Sequence, residues 1–411
     1  MGAAPRATTA GLRSRVVVAL IAATFVISAS FGLNMPLLPS LIAAVSPSGA
    51  ARVPLHAGLL GAVFTLALGA AAPAWGALSD RTGRRAVLVL GMAGFAITLA
   101  VFASPPGLTA VYSEQFLSGV WAAAVMPVSS ALVADLAPDD HWRASRLAWL
   151  NMALVAGFIL GPVAGSAADR LLLRDITPGV LVTPFLATAV LAVPVVLMLW
   201  AWTPRGRPAP SARPAPRAKG RALRPLLVLT FVVSLAIGVF EVAIAIRGGR
   251  ALGLSAVQTG RLFTGCSVVM FAAQAAVFSR WVKPARTAAV LAPAFAAIAG
   301  AMALAGWAPS FAVYALAVGL FAASGGVLAP VLAYWVSREA GPAQGAQLGR
   351  QTAAAGLGQA VGSAFAGIAF DVFGPTGAAL WSGAAAPLAA AVLAAAVHAR
   401  LTTAEPANAL G

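Results

Sequence analysis

The sequence predicts an all-α integral membrane protein of twelve transmembrane helices arranged as two pseudo-symmetric six-helix bundles. Three observations carry that reading: the composition, the spacing of long apolar runs, and a basic, proline-rich segment at the midpoint. Of 411 residues, 60% are hydrophobic and 9% charged, and the mean hydropathy is +0.90. Soluble domains carry roughly a quarter charged residues. Eleven acids and 27 basic residues cannot coat a water-soluble particle of this length, which excludes a soluble enzyme, a disordered chain and a secreted disulfide scaffold. The single cysteine, Cys266, permits no intramolecular disulfide, and three scattered histidines give no metal-ligand cluster. No cofactor is expected. The net charge of +16 sits at the ends of apolar runs, so its expected partner is the lipid bilayer and not nucleic acid.

A helix needs about 20 apolar residues to cross ~30 Å of hydrocarbon. Twelve stretches meet that length, near 16–38, 56–77, 86–104, 109–134, 146–168, 179–202, 225–246, 256–279, 287–306, 310–335, 346–370 and 377–398. Each is continuously apolar instead of alternating, which favours helices over a barrel. Arg13 and Arg15 before the first run would also suit a cleaved signal peptide; the unbroken stretch to Leu38 and the eleven spans after it favour a retained helix. With the N-terminus inside, 21 of the 27 Lys and Arg residues fall on the cytoplasmic side and six on the outer side. The positive-inside rule therefore expects both termini in the cytoplasm, here that of a bacterial inner membrane.

Residues 203–225, TPRGRPAPSARPAPRAKGRALRP, hold no acid and no long apolar run. Proline and like charges keep such a segment extended and solvated. The expected division is a first bundle over 1–202, a cytoplasmic linker over 203–224, and a second bundle over 225–411 with a short cytoplasmic tail. The halves also match at an offset of about 201 residues. Gly58, Leu60 and Arg84 fall opposite Gly260, Leu262 and Arg286, and Gly157 and Gly161 fall opposite Gly358 and Gly362. Duplicated six-helix halves suit alternating-access transport, in which rocking one bundle over the other exposes a central site to each side in turn.

Between spans two and three the chain reads Gly76-Ala77-Leu78-Ser79-Asp80-Arg81-Thr82-Gly83-Arg84-Arg85. Gly76 and Gly83 allow a tight reversal at the membrane surface. Asp80 can accept hydrogen bonds from helix N-terminal amides, and the arginines can anchor at anionic headgroups. In span five, Gly157-Phe158-Ile159-Leu160-Gly161-Pro162-Val163-Ala164-Gly165 sets glycines four apart, a smooth stripe for close helix packing, and Pro162 removes one helical hydrogen bond.

The first string resembles the signature loop of the major facilitator superfamily, and the likeness extends over the whole chain: twelve spans, two halves, a central loop and this turn. It implies a gate element, with Asp80 and Arg81, Arg84 and Arg85 holding the inner side closed. The corresponding turn of the second half, Arg280 to Arg286, keeps the positive charge but lacks the glycine and aspartate. The second string looks like the antiporter motif of that superfamily's drug–proton exporters, which implies export. Span four, from Gln115 through Gly119 and Pro127 to Asp135, is similar to a third family pattern; such exporters carry an arginine four positions before the glycine, where Gln115 stands here. The end of span one, Pro36 to Pro39, and the stretch from Glu339 to Ala346 resemble further family segments.

A charge at mid-bilayer costs about 2.5–3.5 kcal/mol on insertion scales, so each one marks a functional candidate. Glu241 lies deep in span seven. A carboxyl group removed from water favours its neutral form, which suits a group that takes up and releases a proton. The competing reading makes it a structural partner of Arg247 or Arg261. Glu114, about five residues into span four, is a second proton-coupling candidate, and interfacial exposure is its better reading. Asn34, Gln115, Asn151 and Gln274, with Phe240 and Arg261, are candidates for the walls of a substrate cavity, and each amide could equally be interhelical glue.

The resulting expectation is a secondary transporter acting as a monomer: proton-coupled efflux of a small amphipathic molecule by alternating access. A proton-linked importer or facilitator of a nutrient has the same architecture and stays open. A membrane-embedded enzyme or sensor would need a catalytic arrangement or a soluble domain, and no nucleophile–base pair and no polar stretch longer than 203–225 is present. No catalytic residue is expected.

Overall fold

The computed structural model describes residues 4–46, 52–103, 105–172, 182–205, 222–277, 284–340 and 344–403. They form twelve α-helices: α1 Ala4–Val45, α2 Val53–Thr82, α3 Arg84–Val101, α4 Leu108–Leu136, α5 Asp140–Leu172, α6 Val182–Trp202, α7 Leu223–Ala251, α8 Ala256–Val277, α9 Leu291–Trp307, α10 Phe311–Ala340, α11 Gln344–Phe373 and α12 Ala378–Thr403. A 3₁₀ segment, Pro284–Val290, leads into α9. Among the described residues, eleven of the twelve contain an apolar stretch long enough to cross a membrane, and α5 contributes a shorter one, Ser145–Gly161. Most of the 203–224 linker and part of the Arg280–Arg286 turn lie outside the described residues.

The helices follow from an apolar surround. A segment in hydrocarbon must satisfy its own backbone amides and carbonyls, and only a continuous helix does so within one segment. Large side chains that would be costly in water project outward, among them Val101, Val190, Leu316 and Val392. Hydroxyl groups inside the spans bond back to the carbonyl four residues earlier, as Thr24 does to Leu20, Thr230 to Leu226 and Ser267 to Phe263. α1 runs on to Val45, beyond the Pro36–Pro39 ending that the sequence predicts. Proline is tolerated in helices of this kind because neighbouring groups take up the freed carbonyls.

The helices divide into two compact units, Met1–Ala50 with Leu66–Ala212, and Ala51–Thr65 with Arg213–Gly411. In the first, α1 packs on α4, α5 and α6, and α3 on α4 and α6. In the second, α7 packs on α10, α11 and α12, and α9 on α10 and α12. Adding six to each helix number of the first scheme reproduces the second. Residues 51–65, which the sequence division assigns to the first bundle, group with the second unit because this part of α2 lies against α11. A Cβ built on Gly367 would stand 2.9 Å from both the Gly58 Cα and the Leu55 carbonyl oxygen, so neither helix has room for a side chain there.

Candidate transport site

Glycine sets the closest helix crossings in both units. On α5, a Cβ at Gly157 would lie 2.7 Å from the Ala29 nitrogen, and one at Gly161 would lie 2.5 Å from the Ala29 carbonyl oxygen. Next to this seam Ser28 of α1 donates to the Leu154 carbonyl of α5 at 2.5 Å, and the rings of Phe31 and Phe158 sit 5.4 Å apart. On α11, Cβ atoms at Gly358 and Gly362 would run into the Phe231 and Leu235 carbonyls of α7, and one on Gly238 of α7 into the Gln359 carbonyl. The two glycine pairs matched by the sequence offset therefore make the same contact in each unit. The side-chain surroundings of Pro162 and Gly165 lie outside the described residues.

The α7–α11 crossing positions a polar pair. Gln359 Nε2 donates to Glu241 Oε2 at 3.0 Å, between one residue flanked by Gly358 and Gly362 and another one turn beyond Gly238. Beside it Phe240 is buried and stacks on Phe321 with centroids 3.9 Å apart and planes 2° from parallel. No ion pair joins Glu241 to Arg247 or Arg261 among the described residues. Arg247 is spent elsewhere: Nε donates to the Ala305 carbonyl at 2.9 Å and Nη1 to the Pro375 carbonyl at 2.7 Å. It ties α7 to the end of α9 and to the turn between α11 and α12. Tyr314 of α10 joins the same region, donating to the Ala243 carbonyl at 2.9 Å. Arg261 is exposed and Gln274 half-buried.

In the first unit Glu114 is 3% exposed, which corrects the expectation of an interfacial carboxylate. Its position near the start of α4 does not put it at a surface, because neighbouring helices cover that turn. Ser118, one turn along, donates to Glu114 Oε1 at 2.8 Å. Gln115 and Asn34 are buried, Asn151 is exposed, and the Asn34 Oδ1 has no hydrogen-bond partner among the described residues. Ser118 is the residue that sequence reasoning passed over here; its place four residues after Glu114 on the same helical face was the available signal.

The turn between α2 and α3 is built around Gly83, whose φ of 99° is open to glycine and strained for other residues. Gly76 has no such role: it lies inside α2, and a Cβ there would meet nothing within 4 Å. Arg84 gathers the polar groups. Its Nη1 reaches Asp80 Oδ1 and the buried Ser79 hydroxyl, each at 2.6 Å, and its Nε reaches Asp135 Oδ2 of α4 at 2.9 Å. Asp80 thus has a guanidinium partner within the turn, where the sequence suggested backbone amides. Arg81 is exposed.

Residues 20–349 match the family model described as Major Facilitator Superfamily. The chain belongs to that superfamily. It is 27% identical over 349 residues to "Major facilitator superfamily domain-containing protein 10" of Mus musculus, covering 79% of this chain and 74% of the mouse protein. It is 24% identical over 379 residues to "Multidrug resistance protein 2" of Bacillus subtilis, covering 87% of this chain and 89% of that one. In structure it resembles the human organic anion transporter MFSD10 (TETRAN), with a TM-score of 0.71 at 22% identity over 93% of this chain and 99% of that one. The protein is a multi-pass secondary transporter with the fold of the superfamily, and its members are not enzymes.

Proposed function

We propose that this transporter exports a small amphipathic organic molecule across a bacterial inner membrane in exchange for protons, with both termini in the cytoplasm and a single chain as the working unit. The observation that carries the reading is the Glu241–Gln359 pair. A carboxyl group within an apolar span, held by a neutral amide, can lose or regain a proton without breaking an ion pair. Glu114, closed by the Ser118 hydroxyl, supplies the same chemistry in the first unit. Alternating access follows when the protonation state of such a group favours one open face over the other.

Relatives named for multidrug resistance and for organic anion transport support an amphipathic organic substrate. Asn34, Gln115, Asn151, Phe240, Arg261 and Gln274 are the residues proposed to meet it. Of these, Asn34 brings a buried acceptor still open to a ligand donor. The Asp80–Arg84–Asp135 cluster serves as the gate, and the Gly157–Gly161 seam as the antiporter element.

The test is transport in proteoliposomes under an imposed pH gradient, with Glu241→Gln and Glu114→Gln beside the wild type. Export should accelerate with the gradient in the wild type and lose that response in Glu241→Gln while substrate still binds. An undiminished response in Glu241→Gln would remove this residue from the coupling step. Accumulation of substrate in the direction of proton flow would replace export by proton-linked import.

A further inference from the structure

A groove of about 560 Å³ lies on the first unit where α3 starts and α6 ends. Its mouth is cationic. Arg85 and Arg205 both line it, and the Arg85 guanidinium carbon stands 5.2 Å from the centroid of the Trp200 ring. The adjacent Arg84 takes both nearby carboxylates, Asp80 and Asp135. No carboxylate lines the groove, and none pairs with Arg85 or Arg205 among the described residues. The sequence that follows Arg205 adds only positive charge, since 203–225 contains no acid. Two guanidinium groups in one groove repel each other, so whatever binds between them gains by bringing negative charge from outside the chain.

Below the mouth the floor is apolar. Ala86, Val89 and Ala93 follow one another at helical spacing along α3. Leu90 is half exposed, and the Trp200 indole is 55% exposed at the end of α6, a depth where indoles gather at membrane surfaces. Val193 and Leu197, two turns and one turn before Trp200, also face outward. An inorganic anion would use the arginines and leave this floor bare. A diacyl lipid uses both.

We propose that this groove is a binding site for an anionic phospholipid, whose phosphate is held between Arg85 and Arg205 and whose acyl chain lies along α3. Phosphate is planar-fork chemistry for guanidinium, which can meet it through two parallel hydrogen bonds. The site ties the start of α3, and therefore the Arg84 cluster one residue away, to the lipid composition of the leaflet it faces. The inference rests on the membrane-spanning fold and not on the Glu241 reading, because it is tested without transport.

The experiment is native mass spectrometry of the full-length protein in detergent, titrated with phosphatidylglycerol or phosphatidylcholine. The wild type should retain phosphatidylglycerol in preference. Arg85→Gln/Arg205→Gln should lower that selective retention about thirtyfold, the factor that ~1 kcal/mol for each basic residue amounts to for two. Arg15→Gln, at the start of the apolar stretch of α1, should leave it unchanged. Trp200→Leu keeps both charges and removes the exposed ring, and is expected to weaken retention severalfold should the double variant fail to fold. Equal retention of the two lipids, or unchanged retention in both groove variants, would overturn the proposal. Displacement of the lipid by millimolar inorganic phosphate would overturn it in favour of a free-anion site.

Discussion

Replacing Gly161 with alanine adds one methyl group at the tightest point of the α1–α5 crossing. The new carbon would lie 2.5 Å from the Ala29 carbonyl oxygen, 2.8 Å from the Leu33 nitrogen and 2.9 Å from the Gly32 carbonyl carbon, all backbone atoms of α1. Ordinary contact begins at 3.4 Å, so relief requires α5 to withdraw by about 0.9 Å at this point. No side chain can rotate away to spare the helices that movement. Overpacking of this kind costs typically 1–3 kcal/mol, and alanine returns up to ~1 kcal/mol through its better helix propensity, which leaves a net loss of about 1–2 kcal/mol. Gly76→Ala is the matched control: the site is helical, the added carbon has open space, and the same propensity term should raise stability by about 0.5–1 kcal/mol.

The assay is thermal unfolding in detergent, followed by a fluorophore that reacts with Cys266, the chain's single thiol, as α8 opens. Gly161→Ala should melt below the wild type and Gly76→Ala at or above it. Gly362→Ala should fall with Gly161→Ala, since its methyl group meets the Leu235 carbonyl of α7 in the equivalent crossing. If Gly161→Ala melts with the wild type, or if all three variants shift alike, the close-approach argument is wrong.

Three further predictions follow from the geometry. Gly83→Ala forces a β-carbon onto a backbone with φ of 99°, and should cost about 1–2 kcal/mol in the same melting assay. Arg247→Met strips the donors from the Ala305 and Pro375 carbonyls and should lower stability by about 2 kcal/mol or more, with Arg247→Lys between it and the wild type; equal melting of Lys and Met variants would deny the multidentate clamp. Asp135→Asn loosens a partly exposed ion pair with Arg84, so stability should change by no more than ~1 kcal/mol. Its transport rate should nevertheless drop severalfold with substrate affinity kept, and an unaltered rate would remove Asp135 from the gate cluster.

Much of this architecture is legible in the sequence because span length and basic loop residues are properties of consecutive residues. The glycine stripe at Gly157 and Gly161 is legible for the same reason: a missing β-carbon every fourth residue marks a flat helix face whatever lies against it. What the stripe does not name is its partner. That α5 meets α1, and α11 meets α7, depends on the tertiary arrangement, and so does the bond from Gln359 to Glu241 across 118 positions. Gly76 fails in the opposite way. It stands in a turn-like string, yet the reversal needs positive φ at Gly83 alone.

The charges within the spans show where residue type misleads most. Acid and base in hydrocarbon invite the assumption of an ion pair, and Arg247 or Arg261 is the partner that assumption offers Glu241. The structure satisfies each charge separately with neutral groups: Glu241 by an amide, Glu114 by a hydroxyl, Arg247 by backbone carbonyls. The difference has a mechanistic consequence. A carboxylate locked to arginine gains strongly from staying ionised, whereas one held by a neutral donor keeps a partner whether or not it carries a proton, because amide and hydroxyl groups can also accept. The duplication carries the reading only part of the way. Once Gly157 and Gly161 are set against α1, the repeat sets Gly358 and Gly362 against α7 and so puts Gln359 at that crossing; its counterpart Phe158 meets Phe31, so the bond to Glu241 is particular to the second unit.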